Sequence, residues 1–160
     1  MSMYQLIAHG FAKWSILVKK LQALEAGPYA VDAHSDGLSL VAEAEATLQD
    51  LKLIDDNWVQ PLEQLGIISV VYDEFSETTH YNINDLETTQ FFAYHSMLSI
   101  VVNRILGTCL NFLGLPDQGD IEWQNREWSR RIWGIYPCIR CFKPIACMRF
   151  SVPLMMSIES

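Results

Sequence analysis

The stretch Asp85-Leu86-Glu87-Thr88-Thr89-Gln90-Phe91-Phe92-Ala93-Tyr94-His95-Ser96-Met97-Leu98-Ser99-Ile100-Val101-Val102-Asn103-Arg104-Ile105-Leu106-Gly107-Thr108-Cys109-Leu110-Asn111-Phe112-Leu113 decides the fold class. Asp85 offers a side-chain oxygen at the start of a helix, and the acids Asp85 and Glu87 sit in the first turn, where the helix dipole favours negative charge. Gly114-Leu115-Pro116 is a stop signal. Between them the apolar run from Phe91 to Leu113 is 23 residues long, enough to cross a bilayer by length alone. His95, Asn103, Arg104 and Asn111 would be costly in lipid, so the expectation is a long helix buried among other helices rather than a membrane span.

Helical periodicity continues outward on both sides. From Tyr4 to Ala26 the apolar residues Leu6, Ile7, Phe11, Trp14, Leu17, Val18, Leu21 and Leu24 recur at steps of three and four, and Gly27-Pro28 ends the run. A second helix is expected from about Leu38 to Asp56, with Leu40, Val41, Ala44, Leu48, Leu51 and Ile54 as its inner stripe and acids outside. Ile67-Ile68-Ser69-Val70-Val71-Tyr72 is β-branched and reads as either a short strand or a buried helical turn, while Asp73 to Asn84 is polar and reads as a loop. Beyond the long helix, Asp117 or Asp120 starts a helix carrying Trp123, Trp128, Ile132 and Trp133, limited by Pro137. A last helix is expected from near Pro144 through Met148, Val152, Leu154 and Met155, interrupted or kinked at Pro153. The class is all-α: an irregular helical domain of about five helices, including one long central helix, with residues 1–160 as a single domain.

Length and composition agree with this class. The chain has 160 residues, of which half are apolar and 19% charged, which excludes a disordered or fibrous protein. The net charge of −8 hides a split: residues 1–122 carry 17 acids and 5 bases, a net of −12, and residues 123–160 carry 2 acids and 6 bases, a net of +4. An acidic body argues against a nucleic-acid surface, because phosphate binding requires a basic footprint. The C-terminal bases alternate with Trp, Ile, Phe and Met, and are expected to pack on the acidic body. The first residues lack the basic region of a secretory signal.

Residues able to carry chemistry are few. Cys138-Ile139-Arg140-Cys141 followed by Cys147 resembles metal-ligand spacing, but a structural zinc site requires four ligands and only the distant Cys109 remains, so reduced structural thiols are expected and no metal. No nucleophile elbow, phosphate-cradling glycine loop or zinc-hydrolase motif is present, and no cofactor is implied. His95 falls on or beside the apolar stripe of the long helix, as a hydrogen-bonded core residue or a general base. Arg104, in the same apolar helix, must anchor an ion pair or face a cavity or ligand. His80, with Asp73, Glu74 and Glu77 nearby, is either an acid–base cluster or a solvated loop.

Three stretches, in order, resemble a known family. They are Asn57-Trp58 with Pro61-Leu62-Glu63-Gln64-Leu65-Gly66-Ile67-Ile68-Ser69-Val70-Val71-Tyr72; Asp85 to Phe91 running into Val102-Asn103-Arg104-Ile105-Leu106; and Arg131-Ile132-Trp133 to Lys143-Pro144-Ile145 with Val152-Pro153-Leu154. Their order and spacing over about Leu48 to Ser160 are similar to the C-terminal part of the fungal transcription-factor regulatory domain, the helical region that follows a zinc binuclear-cluster DNA-binding domain. The six-cysteine cluster, basic linker and coiled coil of that family are missing, so the resemblance does not extend to DNA recognition. Family domains are usually much longer, which makes this chain look like a fragment or a reduced descendant.

The resemblance implies a regulatory or protein-interaction module in the nucleus or cytoplasm, tied to a secondary-metabolite gene cluster, with no direct nucleic-acid contact. The alternative is a small cofactor-independent cyclase or isomerase with an aromatic-lined pocket, for which His95 and Arg104 are the first suspects. Met148, Phe150, Leu154, Met155 and Ile158 make the last helix apolar on nearly every side. They are expected to form an interface with a second copy or a helical protein partner, rimmed by Arg140, Lys143 and Arg149.

Overall fold

The long helix α4 (Leu86–Leu113) is the axis of the molecule, with α1 (Met3–Ala26), α2 (Ala33–Ile54), α5 (Ile121–Gly134) and α8 (Ser151–Ile158) packed on it. The computed structural model describes residues 3–28, 31–74, 78–116 and 121–158. The protein is mainly helical, and a two-stranded hairpin is its only sheet among those residues.

Both ends of α4 form as their residues dictate. The Asp85 carboxylate accepts the Thr88 backbone N–H at 2.7 Å, and Gly114 takes a left-handed φ of 65° while Leu115 N–H reaches back to the Leu110 carbonyl at 2.9 Å. By length and composition α4 could cross a membrane, but 61% of its most apolar window is buried against the rest of the chain. Its polar residues survive burial by returning hydroxyls to carbonyls one turn back: Ser96 to Phe92, Ser99 to His95 and Thr89 to Asp85.

Helices α1 and α2 run antiparallel, tied on the outside by the ion pairs Lys13–Asp50 and Lys20–Glu43. Both pairs are exposed, so each contributes at most about 1 kcal/mol. Their apolar stripes, including Leu17, Leu40, Ala44 and Leu51, meet Met97, Ile100, Val102, Ile105 and Ile132 in the larger of two cores. The chain does not stop at Asp56. It widens into a π-helix at Asp55–Val59 and tightens again into α3 (Gln60–Gln64). The widening sits just ahead of Pro61, which has no N–H to give to the carbonyl one turn back.

The polar segment after Asp73 departs from the expected loop. β1 (Ile68–Asp73) pairs antiparallel with β2 (Thr78–Ile83) in the register Ile68 with Ile83 and Val71 with His80. Ile68 and Ile83 are buried in a second core with Leu6, Val59, Phe91, Phe92, Ile135, Ile139 and Phe150. Tyr81 lies against Phe92, ring centres 4.8 Å apart, and presses on the backbone of Gly134. β2 therefore owes its state to partners distant in the chain, which its polar composition does not announce.

The C-terminal segment corrects two further expectations. The expected start of α5 at Asp117 or Asp120 lies outside the described residues; α5 ends at Gly134, inside the limit that Pro137 sets, and a short α6 (Tyr136–Ile139) follows. The single last helix is instead α7 (Pro144–Cys147), one 3-10 turn (Met148–Phe150) and α8. The interruption falls at Met148–Phe150, just ahead of Pro153. Pro153 occupies the first turn of α8, where its missing N–H would have no helical partner anyway.

Candidate functional site

An open cleft of about 1000 Å³ runs between α2, the following π-helix, α4 and α5. The periodicity that places Leu51 and Ala44 in the core turns Glu45, Leu48 and Lys52 of α2 toward this cleft. Leu106, Leu110, Ile121, Trp123 and Trp128 supply apolar walls, Ser99 and Asn103 are the polar residues that α4 adds, and the other polar lining comes from α2, the π-helix and α5. Trp123 is largely exposed and Trp128 half-buried.

At one end of the cleft a charged cluster holds the elements together. The Arg131 guanidinium, on buried α5 surface, donates to Asp55 Oδ1 at 2.7 Å. It also stacks over Phe92 at 4.1 Å from the ring centre and reaches Trp128 at 5.2 Å. The π-helix positions Asp55 for this pairing by continuing α2 out over α5. His95 sits behind the pair, with its ring edge-on to Trp128.

His95 is a core residue. Its Nε2 lies 2.8 Å from the Leu51 carbonyl, which can only accept, so Nε2 carries the ring proton. Nδ1 has no hydrogen-bond partner and stands 3.9 Å from Asp55 Oδ1. Burial pushes the imidazole pKa below 6.5, against the opposing pull of the Leu51 carbonyl and Asp55. Arg104 donates to the Met156 carbonyl at 3.1 Å and so ties α4 to the last turn of α8. Neither His95 nor Arg104 lines the cleft.

The remaining candidates lie elsewhere. Met148, Met155 and Ile158 are exposed, Leu154 is half-buried between the two cores, and Phe150 is fully buried, so Phe150 belongs to the interior and not to a surface. Cys138 is buried between β2 and α6, accepting the Ile83 N–H and donating to the Tyr81 carbonyl at 2.8 Å. Cys147 donates to the Ile139 carbonyl, Cys141 is exposed, and Cys109 is in the core with its thiol pKa raised by burial. Among the described residues no three His, Cys, Asp or Glu side chains converge as metal ligands would. His80 pairs with Thr78 on the hairpin.

Among the described residues, Arg131 is the C-terminal base that reaches the acidic body through a salt bridge joining distant elements. Arg126 and Arg130 pair within α5 with Glu122 and Glu127, and Arg140, Lys143 and Arg149 are exposed. Sequence reasoning singled out Asn103 beside Arg104 but gave Asp55 and the cleft no weight. The acidic outer face of α2 carried no signal that α5 would cross above it. The chain matches no family model, no curated protein and no solved structure.

Proposed function

We propose that this protein is a helical regulatory or interaction module of the fungal transcription-factor type that associates through α8 with a second copy of itself. One observation carries the reading: Met148, Val152, Met155 and Ile158, at steps of four, three and three, stand 72%, 49%, 67% and 68% exposed along one side of the segment. An apolar ridge of this kind on a helix fits a facing helix, and methionines adapt to an imperfect partner. Exposed Arg140, Lys143 and Arg149 lie in the same C-terminal region, and the acidic charge of residues 1–122 in the second copy complements them. The nucleus or cytoplasm and a secondary-metabolite gene cluster follow as the setting from the family resemblance.

Light scattering on the purified protein tests this. The expected result is a dimer at micromolar concentration, converted to a helical monomer by Met155→Glu with Ile158→Glu. A wild-type protein that remains monomeric across that range overturns the reading. The cleft gives the rival, a cofactor-independent cyclase or isomerase, a cavity of suitable size. Its two suspected catalytic groups, His95 and Arg104, are engaged away from it.

A further inference from the structure

The cleft between α2, α4 and α5 has features that the α8 ridge does not use. Asn103 is 1% exposed, yet it lines this cleft. Its Nδ2 donates to Gln124 Oε1 across a long 3.3 Å, and its Oδ1 has no hydrogen-bond partner at all. A buried amide acceptor left unsatisfied is destabilising by roughly 1–3 kcal/mol, a cost that a donor arriving from the cleft would remove. Gln124 lines the cleft as well, so the two amides share one wall with Leu106.

Charge narrows the occupant. Four carboxylates border the cleft, Glu45, Asp55, Asp56 and Glu127, against the single ammonium of Lys52. Arg131 neutralises Asp55 and Arg130 neutralises Glu127. Glu45 and Asp56, both exposed, then outnumber Lys52 and leave the mouth negative, on a body that is itself strongly acidic. The walls between are aliphatic and aromatic, and the exposed face of Trp123 offers a π surface to a cation. Acceptor, net negative mouth and apolar walls agree on one chemistry.

We propose that this cleft binds an amphipathic amine, an apolar body bearing a protonated nitrogen whose N–H groups reach Asn103 Oδ1 while the negative mouth that Glu45 and Asp56 create favours its charge. A carboxylate of the same size is repelled at the mouth, and an alcohol of the same size forgoes the charge. The volume of about 1000 Å³ is at the upper end of the range for drug-sized ligands.

The test is titration of the full chain with three probes of matched shape, 4-phenylbutylamine, 4-phenylbutanol and 4-phenylbutyrate, followed by saturation-transfer NMR and by Trp fluorescence. The amine is expected to bind about tenfold more tightly than the alcohol, with the carboxylate weakest. Glu45→Gln with Asp56→Asn changes exposed residues only, leaves folding intact, and is expected to abolish the preference for the amine. Asn103→Leu removes the acceptor and is expected to weaken both donor-bearing probes, the amine and the alcohol. Equal binding of all three probes, no binding of any, or an amine preference that survives Glu45→Gln with Asp56→Asn each overturns the proposal. Dimerisation through α8 is read separately, so failure of one leaves the other standing.

Discussion

Arg131 and Asp55 are 76 residues apart in the chain and 2.7 Å apart in space, and their contact joins the end of α2 to α5 over the aromatic floor of Phe92. The guanidinium is mostly buried and uses its flat face on the ring while its edge donates to the carboxylate, a combination that Lys cannot reproduce.

Replacing Arg131 with Ala strands Asp55 in a partly buried position and empties the space over Phe92. The expected loss is about 3 kcal/mol, with Arg131→Lys recovering only part of it. Urea unfolding measures both, and a double cycle with Asp55→Asn should show strong coupling between the two sites.

Acid should weaken the fold through His95. Its folded pKa is lowered from 6.5 by burial, while Asp55 and Arg131 face it with opposite effects. As pH falls below 6.5 the unfolded chain takes up a proton that the folded chain refuses, so stability is full above that value and declines below it, by at most about 1.4 kcal/mol per pH unit for one group. His95→Asn should flatten the fall in urea midpoint between neutral and mildly acid pH.

Gly134 is required by packing. A Cβ there would sit 2.7 Å from Tyr81 Cδ2 and 3.0 Å from the Thr79 carbonyl oxygen, and backbone cannot swing aside as a side chain can. Gly134→Ala is expected to cost about 1–3 kcal/mol. Faster hydrogen exchange at the Thr78–Ile83 amides, with α1 and α2 unaffected, would locate the damage in the hairpin.

The cap on α4 is a simpler case. Asp85→Ala removes the acceptor for the Thr88 N–H and should cost about 1 kcal/mol, while Asp85→Ser should retain most of it. Thermal unfolding followed by far-UV circular dichroism measures the difference.

The residues of the chain by themselves determined the long helix, its cap at Asp85 and its stop at Gly114, and the two N-terminal helices apart from the start of α2, which lies at Ala33 and not near Leu38, because caps, stops and apolar periodicity act within a few turns of the same segment. The tertiary structure alone decided that Thr78 to Ile83 is a strand, since its hydrogen bonds come from β1 and its anchoring from Phe92 and Gly134. It also decided which apolar residues of the last segment are covered: Phe150 faces the core and Met155 does not, although both look equally destined for burial in sequence. The same holds for Asp55, Asn103 and the cleft between them. A side chain's partner across 21 or 76 residues depends on how three helices cross, and no local pattern encodes that crossing.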